Sequence, residues 1–403
     1  MKIGILCEGK VPHDDRVALT PSQCKLLMGS PYNFNIIVQP SSHRSYTDEE
    51  YLSAGVPVRQ DISKCDIILG VKEVPIKDLM EGKKYFFFSH TIKKQAHNRK
   101  LLKAILEKNI TMIDYETLVD DRGARLIAFG KYAGIVGAHN GLWTYGHRTG
   151  TFDWPRLKNL HDFEEARQIY RKTTLPSIKI VITGSGRVAN GAISALKDMN
   201  ITEVSPEEFL SHQAFEFPVF THLTSHHYVK HKDDLPFLKE DFYENPTSYV
   251  SNFKPYTHVA DIFLNCIYWD IHAPAFFKME EITSSEFKIQ VIGDITCDIA
   301  PASSVPTTLK ASTIDEPVFG IDRNTFQETK PYLKNSIDVM SIDNLPNELP
   351  RDASRYFGDQ FIKVIIPELT SEKSTILDRA TIATEGHLTS HFLYLQDYVD
   401  GNE

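Results

Sequence analysis

Residues 178–199 read IKIVITGSGRVANGAISALKDM, and this stretch decides the fold. Its first six residues are rich in β-branched side chains and predict a buried strand, whereas AISALKDM predicts a helix. Between them, Gly184, Gly186 and Ala189 fit the pattern G-x-G-x-x-A. Glycines at these positions let the backbone approach a pyrophosphate at the positive end of the helix. The stretch therefore predicts a dinucleotide-binding unit.

The same turn supplies most of the predicted cofactor contacts, which we assign to Gly184, Gly186, Arg187, Val188 and Ala189. In the following segment, ITEVSPEEF, Ser205 stands where an NAD-preferring site usually has Asp or Glu. Ser205 leaves room for a 2′-phosphate, so we expect NADP as the cofactor and leave NAD open. Partners for that phosphate are available downstream, although a solvated loop is the alternative for them: His226, His227, Lys230 and His231.

Upstream of this stretch, apolar runs alternate with helical patterns. Strands are predicted in the opening KIGILCEG and at 34–39, 66–72, 83–90 and 110–114. One helix is predicted to start at Thr20-Pro21-Ser22, with Pro in its first turn, and another covers 94–108. Strands that alternate with helices predict a largely parallel sheet covered on both faces.

The rest of the chain predicts a second α/β unit. The Gly- and aromatic-rich segment 129–150 is too apolar to stay solvated and predicts a crossover helix or hinge. Strand signals return at 261–269 and 288–295, whereas 211–250 is polar and predicts a connection of low regularity. The tail from about 336 shows helical patterns. We expect two Rossmann-like α/β lobes with parallel sheets: 1–135, to which the chain returns in 336–403, and 136–335, which binds the dinucleotide.

Bulk composition excludes several classes of protein. The chain has 403 residues and a net charge of −9 without a basic stripe, which argues against nucleic-acid binding. Its start has only a short apolar core, and no run approaches the length of a membrane span, so we expect a cytoplasmic protein. The five cysteines are scattered without CxxC pairs, so we expect reduced thiols and neither a disulfide framework nor a metal site.

Ionisable residues stand where α/β domains place function, just beyond the predicted strand ends. Lys72 and Glu73 follow one strand, His90 follows the next, Glu116 follows a third, and Arg16 lies beyond the first. Lysine beside glutamate with a histidine one strand away is a plausible acid–base set. Each residue alone has a plain structural alternative, namely a surface charge, a helix start or an ion-pair partner.

Taken together, these blocks resemble the saccharopine dehydrogenase (lysine-forming) family, which is related more distantly to alanine dehydrogenase. The resemblance covers nearly all of the chain, in the family's order, through DDRVALTP, GVKEVP, FFFSHTIKKQ, IDYETL, RLIAFGKYAG, GSGRVANGA, DIFLNCIYW, GDITCD and SIDNLPNELPRDAS. Several blocks look closest to the lysine–2-oxoglutarate reductase half of the bifunctional aminoadipic semialdehyde synthase.

The resemblance implies two lobes with an active site in the cleft between them, and it assigns roles to individual residues. The acid–base pair falls on Lys72 and His90. Substrate-binding and site-modulating positions fall on Arg16, Glu73, Lys93, Glu116, Arg125 and Phe129. The late SID motif adds Asp343 to the cofactor contacts. No metal is implied.

The implied reaction joins L-lysine to 2-oxoglutarate through an imine that NAD(P)H reduces to saccharopine, or runs in reverse. Two alternatives remain, an alanine-dehydrogenase-like amino-acid dehydrogenase and a non-catalytic dinucleotide-binding regulatory protein on the same fold. The intact set of Lys72, His90 and Arg16 favours an enzyme. The sequence leaves open the direction, the true amine donor, the choice of nucleotide, the role of 211–250, and whether the protein is a monomer or a homodimer.

Overall fold

The computed structural model describes residues 1–211 and 214–402, and the chain divides into two compact units. Unit 1 comprises Met1–Phe129 and Pro350–Glu403, and unit 2 comprises Gly130–Leu349. The sequence places these boundaries at 135/136 and 335/336 instead. They differ because the helix that starts at Gly130 and the strand that starts at Ser336 both pack within unit 2.

The elements alternate along most of the chain. The strands are β1 (Lys2–Ile5), β2 (Asn35–Val38), β3 (Ile67–Leu69), β4 (Lys84–Phe87), β5 (Thr111–Asp114), β6 (Lys179–Thr183), β7 (Thr202–Glu203), β8 (Val219–Leu223), β9 (Val229–His231), β10 (Tyr249–Ser251), β11 (Ile262–Asn265), β12 (Val291–Asp294), β13 (Val318–Asp322), β14 (Glu328–Thr329), β15 (Ser336–Met340), β16 (Thr381–Thr384) and β17 (His387–Leu388). The helices are α1 (Pro21–Met28), α2 (Asp48–Ser53), α3 (Arg99–Glu107), α4 (Gly130–Thr149), α5 (Phe163–Lys172), α6 (Arg187–Asp198), α7 (Pro206–Leu210), α8 (Ser225–Tyr228), α9 (Lys239–Glu244), α10 (Lys254–Thr257), α11 (Pro350–Gln360), α12 (Ile366–Thr370), α13 (Thr375–Ala380) and α14 (Gln396–Asp400).

Unit 1 is built on a seven-stranded sheet of order β17-β16-β5-β4-β3-β1-β2, in which β1 to β5 are all parallel. Each predicted strand of this region is confirmed, somewhat shorter than its apolar run. The helix start is confirmed too, because Thr20 and Gln23 form a capping box at the first turn of α1. The carboxyl ends of the five parallel strands therefore lie along one edge of the sheet.

The tail of the chain corrects the expectation of helices to the end. β16 pairs antiparallel with β5 and with β17, and so extends the sheet of unit 1. Its sequence, TIAT, has no long apolar run, so the strand signal is weak. Pairing with β5 buries Ile382 and Ala383 completely, and it is this tertiary contact that defines the strand.

Unit 2 is built on an eight-stranded sheet of order β14-β13-β15-β12-β11-β6-β8-β7. β6 and α6 confirm the strand and helix predicted within 178–199. The strands from β7 to β15 through β6 are parallel, and β13 and β14 add an antiparallel edge. From β6 the chain first builds one side of the sheet and then crosses to β11 on the other, which is the switch point where such sheets bind ligands.

The segment 211–250 is more regular than its polarity predicts, and His212 and Gln213 within it lie outside the described residues. It contains β8, which pairs with β6 and β7 in the body of the sheet, and β9, which pairs antiparallel with β10. The sequence hides β8 because Thr221 and His222 interrupt its apolar run. Thr221 is nevertheless fully buried, since β8 is an interior strand.

The helix predicted in 129–150 is confirmed as α4. Its glycines permit close packing on α6, because a Cβ at Gly134 would lie 1.9 Å from the carbonyl oxygen of Val188, and one at Gly191 would lie 2.0 Å from that of Lys131. Small residues are therefore obligatory where the two helices cross. Within the part of the chain that the structure describes, no helix has both the length and the apolar character needed to cross a bilayer.

Candidate active site and nucleotide site

The predicted chemical residues of unit 1 lie together at the carboxyl edge of its sheet. Lys72 and Glu73 follow β3, His90 follows β4, and Glu116 lies in a 3-10 turn directly after β5. Since β3, β4 and β5 are adjacent and parallel, the loops that leave them are neighbours. The structure therefore assembles residues that are up to 44 positions apart, by the numbering from 72 to 116.

Glu73 contacts a histidine and a lysine at this edge. One of its carboxylate oxygens is hydrogen-bonded to Nδ1 of His90, and the other accepts a hydrogen bond of 3.0 Å from Nζ of Lys10. His90 has a left-handed backbone conformation, with φ of +53°, which turns its ring from the end of β4 toward Glu73. The carboxylate fixes the orientation of the imidazole and determines which ring nitrogen it contacts.

The environment separates the proton affinities of Lys72 and Glu73. Lys72 is partly buried, and this burial, together with the positive charge of Arg16, lowers the pKa of its amine to about 8. Burial opposes ionisation of Glu73, but its hydrogen bonds from His90 and Lys10 outweigh that effect and lower its pKa to about 2. Near neutral pH the cluster thus holds a fixed carboxylate beside an amine that can gain or lose a proton.

A second carboxylate, that of Glu116, forms ion pairs with two of the predicted cations. Oε1 of the buried Glu116 lies 2.8 Å from Nη2 of Arg125 and 3.5 Å from Nζ of Lys93. Both cations are about half exposed. Oε2 of Glu116 is buried and has no hydrogen-bond partner among the described residues. An oxygen of this kind is expected to gain a donor when a ligand or water enters the site.

Arg16 is held rigidly at the same edge. Asp14 accepts hydrogen bonds of 2.9 Å from Nε and 2.6 Å from Nη2, a bidentate pair that fixes the guanidinium plane. The guanidinium also lies 4.2 Å from the ring centroid of Phe129, which stacks on Phe357 at 4.5 Å. The structure therefore brings Phe129 and Arg16 together, as the sequence groups them.

Sequence reasoning missed two acids that hold the loops bearing these residues. Glu8, just beyond β1, accepts hydrogen bonds from the backbone N–H groups of Val71 (2.6 Å) and Lys72 (2.9 Å). Asp114, at the end of β5, accepts 2.9 Å and 2.7 Å bonds from those of Ser89 and Glu116. Their only sequence signal is an acidic residue at a strand end, which is common on protein surfaces.

In unit 2 the glycine turn joins β6 to α6, and its backbone geometry excludes larger residues at one position. Gly184 has φ of +109°, and a Cβ there would lie 2.5 Å from the carbonyl oxygen of Cys266, so only glycine fits. Gly186 is the N-cap of α6, no side chain caps that helix, and a Cβ on Gly186 would meet no described atom within 4 Å. The space beside Gly186 is therefore open at the first turn of α6, and the free backbone N–H groups of a helix start are suited to an anion. Arg187 and Val188 begin the helix, and Ala189 is buried in it.

The sheet order changes the position of the predicted ribose contact. Ser205 follows β7, the next strand along the chain, but β7 is the edge strand, and β8 lies between it and β6. The exposed hydroxyl of Ser205 caps α7 by accepting from the N–H of Glu208 at 3.2 Å. The residues that follow the strand beside β6 are instead Thr224, Ser225 and His226. Asp343 is exposed after β15, whose carboxyl end lies on the same edge as the glycine turn.

An aromatic pocket of about 180 Å³ lies between the segments that follow β8 and β11. Its lining includes Tyr228, Phe242, Tyr268 and Trp269. Tyr268 is 94% exposed, and the buried Nε1 of Trp269 has no acceptor in the described parts of the chain. β8 and β11 flank β6 on either side, and a Cβ on Gly184 would lie 3.3 Å from the backbone nitrogen of Ile267, which lines the pocket.

Comparisons with known proteins agree with this architecture. The family model for the alanine dehydrogenase/PNT N-terminal domain matches residues 4–136. The solved structure of an L-alanine dehydrogenase is similar over 99% of both chains, with a TM-score of 0.66 at 16% identity, which shows a shared Rossmann-like fold. The saccharopine dehydrogenase [NAD(+), L-lysine-forming] of Neurospora crassa is 31% identical over 91% of each chain.

The chain belongs to the saccharopine dehydrogenase (L-lysine-forming) family. The mitochondrial alpha-aminoadipic semialdehyde synthase of Rattus norvegicus is also similar, at 29% identity over 96% of this chain and 47% of the relative. The chain therefore spans about half the length of that relative. These relatives support an amino-acid dehydrogenase, which is an oxidoreductase.

Proposed function

We propose that this family member interconverts L-lysine and 2-oxoglutarate with saccharopine, using NADP(H). In the reductive direction the lysine ε-amine adds to the oxo group, the resulting carbinolamine loses water, and the imine takes up a hydride and a proton. A bound reduced nicotinamide supplies the hydride. The protein must then deliver protons to the departing hydroxyl and to the product nitrogen, and it must bind several carboxylates.

The single observation that carries the proposal is the cluster of Lys72, Glu73 and His90 at one edge of the unit 1 sheet. With a pKa of about 8, Lys72 is able to donate a proton near neutral pH and to recover it. His90, oriented by Glu73, is the second proton carrier. We assign Lys72 to the product nitrogen and His90 to the carbinolamine hydroxyl.

The cations of the same edge are suited to the substrate carboxylates. Arg16 offers a planar guanidinium that Asp14 and Phe129 already hold in place, so little side-chain entropy is lost on binding. Lys93 and Arg125 share Glu116, and a substrate carboxylate that approached them would bind beside this buried acid. Glu116 thereby limits the net positive charge of the site.

The glycine turn and the start of α6 are the proposed pyrophosphate site, with the aromatic pocket for the adenine. The choice of NADP rests on the end of β8, where Thr224, Ser225 and His226 replace the acid expected of an NAD site. The Neurospora crassa relative carries NAD(+) in its name. The proposal therefore differs from that name in the nucleotide, and it does so on the residues at the end of β8 in this chain.

The test is product identification with exchanged substrates. Purified protein with NADPH, lysine and 2-oxoglutarate should give saccharopine, detected by mass spectrometry. Replacing lysine by ornithine, or the pair by ammonia and pyruvate, should lower the yield strongly, because the cation set is matched to the original carboxylates. Alanine formed from ammonia and pyruvate, without saccharopine from the first mixture, would refute the proposal in favour of an alanine-dehydrogenase-like enzyme.

A further inference from the structure

Glu8 has a geometry that its position in the sequence does not explain. It lies three residues beyond β1, and its two carboxylate oxygens each accept a backbone N–H from the neighbouring loop after β3. One donor is the amide of Lys72, and the other is the amide of the preceding residue, Val71. A bidentate contact of this kind restrains the torsion angles that set the direction of the Lys72 side chain.

The restraint depends on the ionisation of the carboxylate. An ionised carboxylate accepts through both oxygens, whereas a protonated carboxyl uses one of them as an O–H donor. Protonation therefore leaves one of the two N–H groups with a poorer acceptor. On its other side the loop is held by two β-sheet bonds, from the N–H of Gly70 to the carbonyl of Phe86 and from the N–H of Phe88 to the carbonyl of Val71, and by the contacts of Glu73 with His90 and Lys10.

Burial of Glu8, together with the charges around it, places this change near neutral pH. Burial raises its pKa to about 7, and the carboxylate of Asp14 acts in the same direction. The backbone N–H bonds from Lys72 and Val71 and the positive charge of Arg16 oppose that shift. Tyr115, from the turn after β5, also faces Glu8. The groups that face Glu8 thus come from the loops after β1, β3 and β5.

We propose that Glu8 is a positioning residue for Lys72: its ionised carboxylate holds the backbone of Val71 and Lys72 so that the amine is presented for proton transfer, and its protonation releases that loop. This inference rests on the proposed role of Lys72 in the reaction. Glu8 itself transfers no proton to the substrate.

The direct test is amide hydrogen exchange at Val71 and Lys72 as a function of pH, corrected for the intrinsic exchange rate. In the wild-type protein, protection of these two amides should fall about tenfold or more as the pH is lowered through 7, because a charge-assisted hydrogen bond is lost. In Glu8→Gln, which imitates the protonated acid, protection should be low and independent of pH between 6 and 8.

A matched control is available in unit 2. Asp261 is also half-buried, its pKa is also raised by burial, and it accepts a 2.8 Å hydrogen bond from the backbone N–H of Lys179. It lies at the amino-terminal edge of its sheet, away from the glycine turn. Asp261→Asn should lower protection at Lys179 and leave the pH dependence at Val71 and Lys72 as in the wild type.

The pH profile of turnover and the melting temperature distinguish a positioning role of Glu8 from a merely structural one. Turnover of the wild type should rise as the pH increases through 7, and in Glu8→Gln this limb should be absent and kcat reduced about tenfold. A raised carboxyl pKa means that the ionised form costs folding stability above pH 7, so Glu8→Gln should melt no lower than the wild type at pH 8.

The outcomes distinguish this inference from the proposed function. Inactive wild-type protein would refute the reaction, while the exchange measurement, which needs no substrate, would still decide the role of Glu8. Protection at Val71 and Lys72 that is independent of pH in the wild type would overturn the inference. So would a Glu8→Gln protein with lowered melting temperature and an unchanged pH profile.

Discussion

The two sheets of this protein use their carboxyl edges in opposite ways. The edge of unit 1 carries ionisable side chains from four loops, with Glu73 and Glu116 each bound to two cationic or titratable groups. The edge of unit 2 presents glycines, uncapped backbone N–H groups and an aromatic pocket. Both edges arise from the same parallel βα architecture, so the chemistry of each unit is set by its loops.

The two edges are expected to tolerate different kinds of substitution. Under the proposed function, unit 1 acts through the charge and proton affinity of side chains, so a change of charge is decisive even where the backbone is unaffected. Under the same proposal, unit 2 acts through the close approach of its backbone to the nucleotide, so the addition of a single methyl group is decisive.

The largest expected effect is that of Lys72→Met on turnover. Loss of a proton donor with a pKa of about 8 should lower kcat about 10³-fold, since positioned acid–base groups contribute factors of this size. Nucleotide binding, measured by nucleotide fluorescence, should be unchanged because the glycine turn is untouched. Lys77→Met, at an exposed position five residues on, is the control and should retain full activity. Unaltered turnover in Lys72→Met would remove Lys72 from the mechanism.

A pair of glycine substitutions should show the opposite pattern. Gly184→Ala requires a left-handed alanine and brings its Cβ 2.5 Å from the carbonyl oxygen of Cys266, so both melting temperature and nucleotide affinity should fall, the affinity about 100-fold. Gly186→Ala meets open space and should keep its melting temperature while losing affinity. If the two variants had the same melting temperature and the same nucleotide affinity, the proposed close approach of the unit 2 backbone to the nucleotide would be contradicted.

Part of the fold and of the candidate site could be predicted from the sequence, and part could not. The placement of Lys72 and His90 at one sheet edge was predictable because each follows an apolar run, and parallel strands bring their ends together. β8 was not, because Thr221 and His222 conceal its strand signal, and its position beside β6 follows from pairing across the sheet. Glu8 was missed for a related reason, since its partners are backbone amides about 64 residues away, a separation at which no local pattern acts.

The position of β8 gives a sharper prediction on nucleotide choice. Ser225→Asp should shift the ratio of kcat/KM for NADPH over NADH about tenfold or more toward NADH, because the new carboxylate repels a 2′-phosphate and accepts from a ribose hydroxyl. Ser205→Asp is the matched control, at the end of edge strand β7, and should leave the ratio unchanged. The reverse result would restore Ser205 as the ribose contact.

The pKa of Lys72 predicts that the two reaction directions depend oppositely on pH. Its folded pKa of about 8 means that the protonated donor predominates below pH 8 and the neutral base above it. Saccharopine formation should therefore slow by up to about tenfold per pH unit above 8, whereas saccharopine oxidation should rise through the same pH. Steady-state profiles of kcat in both directions check this, and parallel profiles would contradict the role assigned to Lys72.

The smallest expected effect lies at the rim of unit 1. Arg125→Met removes a half-exposed cation that shares Glu116 with Lys93, so the KM for 2-oxoglutarate should rise only a few-fold, with kcat nearly unchanged. Arg122→Met, an exposed position in the same loop, should have no effect on KM. A fall in kcat without a change in KM would mean that Arg125 acts in the chemical step instead.

The most direct test of the central claim is the loss of nicotinamide absorbance with purified protein, lysine and 2-oxoglutarate, measured separately with NADPH and NADH. We expect oxidation of the nucleotide that depends on both substrates and is faster with NADPH. No oxidation with either nucleotide, despite measurable nucleotide binding, would contradict it and would leave a dinucleotide-binding protein whose charged edge acts on other substrates or on none.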